Sequence, residues 1–137
     1  MRTALDTNVL SAIWGQEPSA ARLMQLLGES SRAGSVVLCA AVYAEAIAHP
    51  RVTEEFLEDF LSQANVLVDF QMDEQVWREA GRRFARYAKR RRRSGQQQPR
   101  RLLADFVIGA HAQFTADRLI TLDKGRYERD FPDLKLI

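Results

Sequence analysis

The chain has a single cysteine, four prolines, seven glycines and two histidines among its 137 residues. One cysteine, Cys39, cannot form a disulfide within the chain, so the composition fits a reducing compartment such as the cytoplasm. Acidic residues interrupt the most apolar stretches before they reach the roughly 18 residues that a membrane-spanning helix needs. We therefore expect a cytoplasmic protein that does not associate with membranes.

Apolar runs typical of buried strands alternate with segments of helical periodicity. The predicted strands cover residues 2–6, 36–39, 66–68 and 119–122, with residues 134–137 as a candidate fifth strand. The predicted helices cover residues 8–14, 18–32, 40–49, 53–64, 73–90 and 99–114. This alternation indicates an α/β fold around a mainly parallel sheet of four or five strands. The length of 137 residues fits a single domain over residues 1–137.

The net charge of +2 conceals one strongly basic segment. Residues 89–101 carry seven Lys and Arg side chains and no acid, so the rest of the chain carries about −5. The segment is of low complexity and predicts a basic loop at about residues 89–101, in which the polar stretch 91–98 is either a loop or a fraying helix end. A charge run of this kind is either a solvated surface or a contact for the phosphates of a polyanion.

Four carboxylates interrupt apolar segments, where an unpaired charge is costly. Asp6 ends the first predicted strand, Asp123 follows the fourth, and Glu45 and Asp105 lie in apolar helices. A desolvated carboxylate costs several kcal/mol unless it is paired or bound to a cation. Ligands of open parallel sheets bind at the carboxyl ends of the strands. We therefore expect the four acids to converge on a divalent metal ion, which prefers oxygen ligands.

Two of the four acids, Asp6 and Asp123, also have a simpler explanation. Asp6 can cap the following helix, and Asp123 is a common type of turn residue. Glu45 and Asp105 carry more weight, because apolar neighbours on both sides leave them no clearly polar helix face. Glu45 and His49, at positions i and i+4, form an alternative zinc pair, which the lack of a third histidine or a cysteine cluster disfavours.

The sequence motifs around these acids resemble those of the PIN domain family. Residues 6–10, D-T-N-V-L, resemble the opening of the family, and Glu45 resembles its second acid. Residues 104–112, A-D-F-V-I-G-A-H-A, and residues 119–123, L-I-T-L-D, resemble the elements that carry the third and fourth acids. The resemblance covers the whole chain, and its size is most similar to VapC-type toxins of bacterial toxin–antitoxin pairs.

The resemblance implies a three-layer α/β/α sandwich and a Mg²⁺- or Mn²⁺-dependent endoribonuclease that forms a homodimer and is inhibited by a cognate antitoxin. The implied metal ligands are Asp6, Glu45, Asp105 and Asp123. Thr121 is a candidate to orient water or phosphate, unless it is an ordinary β-branched strand residue. Asn8 is expected to hold the backbone of the site. The candidate RNA-binding residues are Arg90, Arg91, Arg92, Arg93, Arg100 and Arg101.

Two features depart from the usual family pattern. The stretch before Asp105 is longer and more basic than is common, and Tyr127 or Phe131 replaces the phenylalanine expected soon after the last acid. Two other functions also fit the residues. One is a catalytically weak PIN-like module that binds RNA or protein. The other is a hydrolase of small phosphoesters, although the D-x-D-x-T motif of the phosphatase version is absent from the sequence.

Overall fold

A computed structural model describes residues 1–97 and 100–137 of the protein. Its sheet has four strands in the order β3-β2-β1-β4, and each neighbouring pair is parallel. The strands are β1 (Arg2–Leu5), β2 (Ser35–Cys39), β3 (Val66–Asp69) and β4 (Arg118–Ile120). The register places Leu5 opposite Ile120, so β1 and β4 end side by side. The predicted α/β class and parallel sheet are confirmed.

Helices flank this sheet in the predicted three-layer α/β/α arrangement. The described part of the chain contains α1 (Thr7–Trp14), α2 (Ala20–Ala33), α3 (Ala40–Ile47), α4 (Glu54–Gln63), α5 (Glu74–Arg93), α6 (Leu103–Thr115) and α7 (Lys124–Glu128). Side-chain caps begin two of them as expected: Thr53 Oγ1 accepts from the Phe56 amide, and Asp73 Oδ1 accepts from the Gln75 amide. None of the described helices is long and apolar enough to cross a membrane.

The basic segment is the largest departure from the predicted elements. Helix α5 continues to Arg93, so the first part of the predicted basic loop at about 89–101 is helical, as the alternative of a helix end at residues 91–98 allows. Arginine is a good helix former, and the Arg90 side chain is held by an ion pair with Asp130. The predicted loop end at Gln98 and helix start at Pro99 lie outside the described residues, and α6 begins at Leu103.

Two further differences concern the C-terminal part of the chain. Helix α7 was not predicted, because five residues are too few to show a helical period. Residues 134–137 are not a full strand: they contribute one parallel bridge, between Leu119 and Leu136, beside β4. Backbone hydrogen bonds still fix this tail, since the Leu119 amide donates to the Lys135 carbonyl at 2.9 Å.

The α7 segment is fastened to α6 through aromatic packing. Tyr127, Phe131 and Phe106 are fully buried, and the Phe131 ring lies so close to Gly109 that a Cβ there would approach a ring carbon to 2.4 Å. Glycine at position 109 is therefore required by this close approach. The contact brings α7 and the residues after it against the helix that carries Asp105.

Candidate active site

Asp6 lies at the carboxyl end of β1, directly beside the end of β4. Its side chain is almost fully buried, with 3% of the residue surface exposed. One carboxylate oxygen accepts from the Thr7 amide at 2.7 Å and the other from the Thr121 hydroxyl at 2.8 Å. The parallel pairing of the two strands creates this contact, because the Asp6 amide donates to the Ile120 carbonyl at 3.0 Å.

Thr121 and Asn8 connect Asp6 to the loop that carries Asp123. The Thr121 oxygen accepts from the Asn8 side-chain amide at 3.3 Å and from the Asp123 backbone amide at 3.1 Å. Asn8 Oδ1 accepts in turn from the Leu122 amide at 3.2 Å. Asn8 thus contacts the backbone of this loop, and its role in holding the site stays a prediction. The single hydroxyl proton of Thr121 is donated to Asp6, so Thr121 is placed to hold that carboxylate, and its contact with water or phosphate stays a prediction.

Glu45 reaches the same region through Thr7. The Thr7 hydroxyl donates to Glu45 Oε1 at 2.7 Å, while the Thr7 backbone amide donates to Asp6. Glu45 is half-buried on α3. A single residue of the D-T-N motif thus joins two of the four acids, and this second use of Thr7 had no signal in the sequence.

Arg126 on α7 lies between the two remaining acids. Its guanidinium contacts Asp105 Oδ1 at 3.1 Å and Asp123 Oδ2 at 3.2 Å. Asp105 is buried at the start of α6, where its other oxygen accepts from the Leu102 amide at 3.2 Å. Asp123 caps α7 and accepts from the Arg126 amide. One cationic side chain is therefore shared between two carboxylates from different elements.

The acid cluster is defined as Asp6, Asp105 and Asp123 with Arg126, and burial affects the pKa of two of its members, Asp6 and Arg126. Desolvation raises the pKa of Asp6, although hydrogen bonds and the positive charge of Arg126 partly oppose the shift. Burial alone would lower the pKa of Arg126, but Asp105, Asp123 and Asp6 raise it. A buried carboxylate with a raised pKa is stabilised in its charged form by any cation that comes near it.

Tyr127 completes the buried side of the acid cluster. Burial, and then the negative charge of Asp6, raise the pKa of its hydroxyl far above the ordinary value, so Tyr127 stays protonated. The Tyr127 hydroxyl acts in turn to lower the pKa of Asp6, although it makes no hydrogen bond of ordinary geometry to any described residue. Tyr127 is thus a buried donor beside the Asp6 carboxylate.

The four predicted acids do not form a ready metal centre. Within residues 1–97 and 100–137, no three acidic, histidine or cysteine side chains are grouped closely enough to hold one metal ion. The Arg126 guanidinium accounts for this, because it lies between Asp105 and Asp123 and holds both. Metal binding by the four acids therefore stays a prediction. His49, the alternative zinc ligand, contacts the Trp14 ring edge-on with centroids 5.8 Å apart.

A cavity of about 330 Å³ opens beside the acid cluster. Asp123 and Arg126 line one part of it, and arginines from α5 and from the segment before α6 line another. Of the predicted RNA-binding residues, Arg90, Arg100 and Arg101 border this cavity. A second groove of about 320 Å³ is bordered by Arg91 and Arg92 and also by Arg100 and Arg101. Arg93 is exposed at the end of α5. RNA binding by these arginines remains a prediction.

Two residues of the site were missed by sequence reasoning. Arg126 follows Asp123 by three positions, and this helical spacing is a usable signal for a pair at a helix start. Asp130 carried no signal, since its partners Arg90 and Arg101 lie 40 and 29 positions away.

Solved structures of similar fold support the assignment of this architecture. The chain superposes on VapBC2 from Rickettsia felis, bound to a promoter DNA fragment, with a TM-score of 0.63, 21% identity and coverage of 100% of this chain and 98% of that chain. VapBC-1 from nontypeable Haemophilus influenzae gives a TM-score of 0.63 and 20% identity over 100% of this chain and 97% of that chain. FitAcB from Neisseria gonorrhoeae gives a TM-score of 0.56 and 23% identity over 98% of this chain and 96% of that chain.

At the level of sequence, no curated protein matches the chain significantly. The PIN domain family, in contrast, matches residues 3–132, which is nearly the whole chain. That match includes all four acids and the elements that position them. The sequence resemblance is thus confirmed, and the chain belongs to the PIN domain family.

Proposed function

We propose that this protein is a Mg²⁺- or Mn²⁺-dependent endoribonuclease that hydrolyses RNA phosphodiester bonds. One observation carries the proposal: the buried Asp6 and Asp105 and the half-exposed Asp123, from three different elements, all act on a single guanidinium next to an arginine-lined cavity. Such a cluster has more negative charge than its own cation neutralises. It is therefore a site that gains from binding a further cation.

The donor chemistry fits a divalent metal ion. Asp6, Glu45, Asp105 and Asp123 offer only oxygen atoms, and Mg²⁺ uses few protein ligands because it keeps several waters. Asp6 is the best supported of the four, since it is buried and its pKa is raised by desolvation. Asp105 and Asp123 would join it when Arg126 turns outward, and this side chain is 40% exposed at the rim of the site.

The chain's own residues would bind and orient the substrate around the metal. A bound metal ion supplies a positive charge for the phosphate and a water of lowered pKa. Thr121 holds the Asp6 carboxylate in a fixed direction, and Thr7 does the same for Glu45. The arginines near the cavity neutralise the RNA backbone without reading its sequence.

The biological role that we propose is the toxin of a toxin–antitoxin pair. The VapC-like motifs of the sequence and the similar fold of VapBC2 and VapBC-1 support it. A cognate antitoxin and a second copy of the chain are then the expected partners, in the cytoplasm. Co-expression with the product of a small open reading frame next to the gene tests this role: a stable complex that suppresses RNA cleavage is expected.

Nuclease activity is tested by incubating the protein with structured RNA in Mg²⁺ or Mn²⁺. Cleavage is expected, and it should disappear with EDTA and fall by about 10²-fold or more in Asp6→Asn and Asp105→Asn. Asp59→Asn is the matched control, since Asp59 is exposed on α4. Cleavage that survives EDTA, or that the two site variants retain, would contradict the proposed mechanism.

A catalytically weak PIN-like module that binds RNA or protein is the second candidate. The contact of Arg126 with both Asp105 and Asp123 favours it, because this internal cation could satisfy the acids permanently. RNA binding without cleavage at any Mg²⁺ or Mn²⁺ concentration would favour this module over the nuclease.

A further inference from the structure

Asp130 is a buried carboxylate that organises two arginines beside the active site. Its side chain is only 2% exposed. One oxygen forms an ion pair with Arg90 near the end of α5, and the other accepts from Arg101 Nη1 at 2.6 Å. The Asp130 backbone carbonyl also accepts from the Arg83 guanidinium. This basic cluster, defined as Asp130 with Arg90 and Arg101, therefore ties α5 and the segment before α6 to the residues after α7.

The Arg101 guanidinium is fixed on several sides. It lies over the Phe106 ring at 5.2 Å from the ring centroid and over the Tyr127 ring at 5.9 Å. The Arg101 backbone amide donates to the Tyr87 hydroxyl at 2.7 Å, which ties this segment to α5. The side chain is only 11% exposed. Arg101 is thus a rigid group with a defined direction, unlike a solvated arginine on a surface.

The basic cluster has more donors and more positive charge than Asp130 satisfies. Arg101 Nε and Nη2 and Arg90 Nε have no hydrogen-bond acceptor within residues 1–97 and 100–137. Among the described residues, the cavity of about 330 Å³ that Arg90 and Arg101 border is lined by five arginines and two aspartates, and one of these arginines, Arg126, also pairs with Asp105 outside the lining. The other three arginines are Arg100, Arg126 and Arg129.

We propose that this cavity, the arginine pocket, is a built subsite for a phosphate group of RNA. The inference rests on the proposed nuclease function for the identity of the polyanion. An excess of fixed guanidiniums in a concave site favours a phosphate, whose oxygens accept two parallel N–H bonds from one arginine. Because Asp123 lines the same cavity, a phosphate bound there would lie beside the candidate metal site.

RNA explains the pocket better than an acidic protein segment does. The lining is mainly charged, with Tyr87 as its one aromatic residue, whereas protein interfaces usually centre on several buried apolar groups. The pocket also continues into the acid cluster, where a negatively charged peptide would be repelled. A polynucleotide that brings a metal ion meets no such conflict, because the metal neutralises the acids.

The test compares matched pairs of variants in binding a fluorescent, 2′-O-methylated RNA that cannot be cleaved. Binding is measured by anisotropy in EDTA, so the result does not depend on metal or catalysis. Arg100→Gln in the pocket is paired with Arg22→Gln on α2, since both residues are exposed, both changes remove one charge and Arg22 lies outside the basic segment. Arg100→Gln is expected to weaken binding about tenfold, and Arg22→Gln less than about twofold.

A second pair of variants replaces arginine with lysine, which keeps the positive charge and is chosen to leave the fold intact. Arg101→Lys preserves an ion pair with Asp130 but removes the planar fork, and Arg78→Lys, which keeps its ion pair with Glu74, is the control away from the pocket. We expect Arg101→Lys to weaken RNA binding by about fivefold with an unchanged unfolding midpoint, and Arg78→Lys to have no effect.

Three outcomes would overturn the subsite. Equal losses of RNA affinity within each pair of variants would mean that RNA binds through the general positive charge of the surface and not through this pocket. Losses confined to binding of a poly-glutamate peptide would identify a contact for an acidic protein. An absence of RNA binding by the unaltered protein would exclude the pocket directly. The proposed nuclease fails in a different way: RNA binding stays specific to the pocket, but no cleavage follows when Mg²⁺ or Mn²⁺ is added.

Discussion

Two neighbouring ionic clusters in this protein are built with opposite ratios of charge. In the acid cluster, Asp105 and Asp123 share Arg126, and the buried Asp6 lies close enough for its charge to act on the same guanidinium. In the basic cluster, a single carboxylate, Asp130, is shared by two arginines. Both clusters border the same cavity.

The opposite ratios show that neither cluster is a simple stabilising ion pair. Burying a charge is costly unless partners balance it, and here one cluster lacks positive charge and the other lacks negative charge. A metal ion at the first and a phosphate at the second would balance both. RNA with a bound divalent ion supplies these two charges together. The contact between His111 and Asp69, at 3.0 Å, is the reference outside the two clusters, because burial lowers the pKa of His111 and favours a neutral imidazole there.

Removing Asp130 is expected to have the largest effect on stability. Asp130→Asn leaves the nearly buried Arg101 without its counter-ion, and an uncompensated buried charge costs about 3 kcal/mol or more. Urea unfolding of the variant measures the change in free energy. Asp133→Asn is the control, because Asp133 is exposed three positions later. A loss below about 1 kcal/mol would show that solvent already balances the two arginines, and the contrast between the clusters would weaken.

Removing Arg126 should have a smaller effect whose sign depends on metal. Without metal, Arg126→Gln takes the Arg126 guanidinium from Asp105, but the side chain is 40% exposed, so the loss is screened to about 1 kcal/mol or less. With Mg²⁺ or Mn²⁺, the variant should gain more thermal stability than the unaltered protein, because the Arg126 guanidinium no longer competes for the acids. The unfolding midpoint as a function of metal concentration measures this.

Lys124→Gln is the control for this experiment, since Lys124 is an exposed neighbour with the same charge. It should change neither the midpoint without metal nor the gain on adding metal. An equal metal response in Arg126→Gln, Lys124→Gln and the unaltered protein would mean that Arg126 does not occupy the cation site.

Local patterns made much of the fold predictable. The strand at residues 36–39 is a continuous apolar run, and the helices after it show clear caps and periodic faces, so both were placed within a few residues. The same local signal marked the acids: Asp6 and Asp105 were conspicuous because their neighbours are apolar, and both are buried in the structure.

The contacts that determine charge balance could not be predicted in this way. Arg90 and Arg101 looked like parts of one solvated basic run, yet both reach Asp130 from separate elements. No sequence periodicity relates residues that meet only after α5, α6 and α7 pack together. Arg126 likewise depends on tertiary structure, since its contact with Asp105 spans 21 positions. Sequence identified which charges are unusual, and the fold decided which of them are balanced.

Changing the contact between His111 and Asp69 is expected to give the smallest effect, visible only in the pH dependence of stability. Burial lowers the pKa of His111, with Arg2 adding to the shift, while Asp69 opposes it. The unfolded chain therefore binds a proton at His111 more readily than the folded protein does, so this histidine makes stability fall as pH drops below about 6.5.

His111→Gln keeps a donor for Asp69 but cannot be protonated, so its urea midpoint should fall less between about pH 7.5 and 5.5. His49→Gln, which removes the other histidine, is the control. If His111→Gln and the unaltered protein lose stability equally over this range, the acid sensitivity arises from carboxylates, and the unbalanced clusters become its expected source.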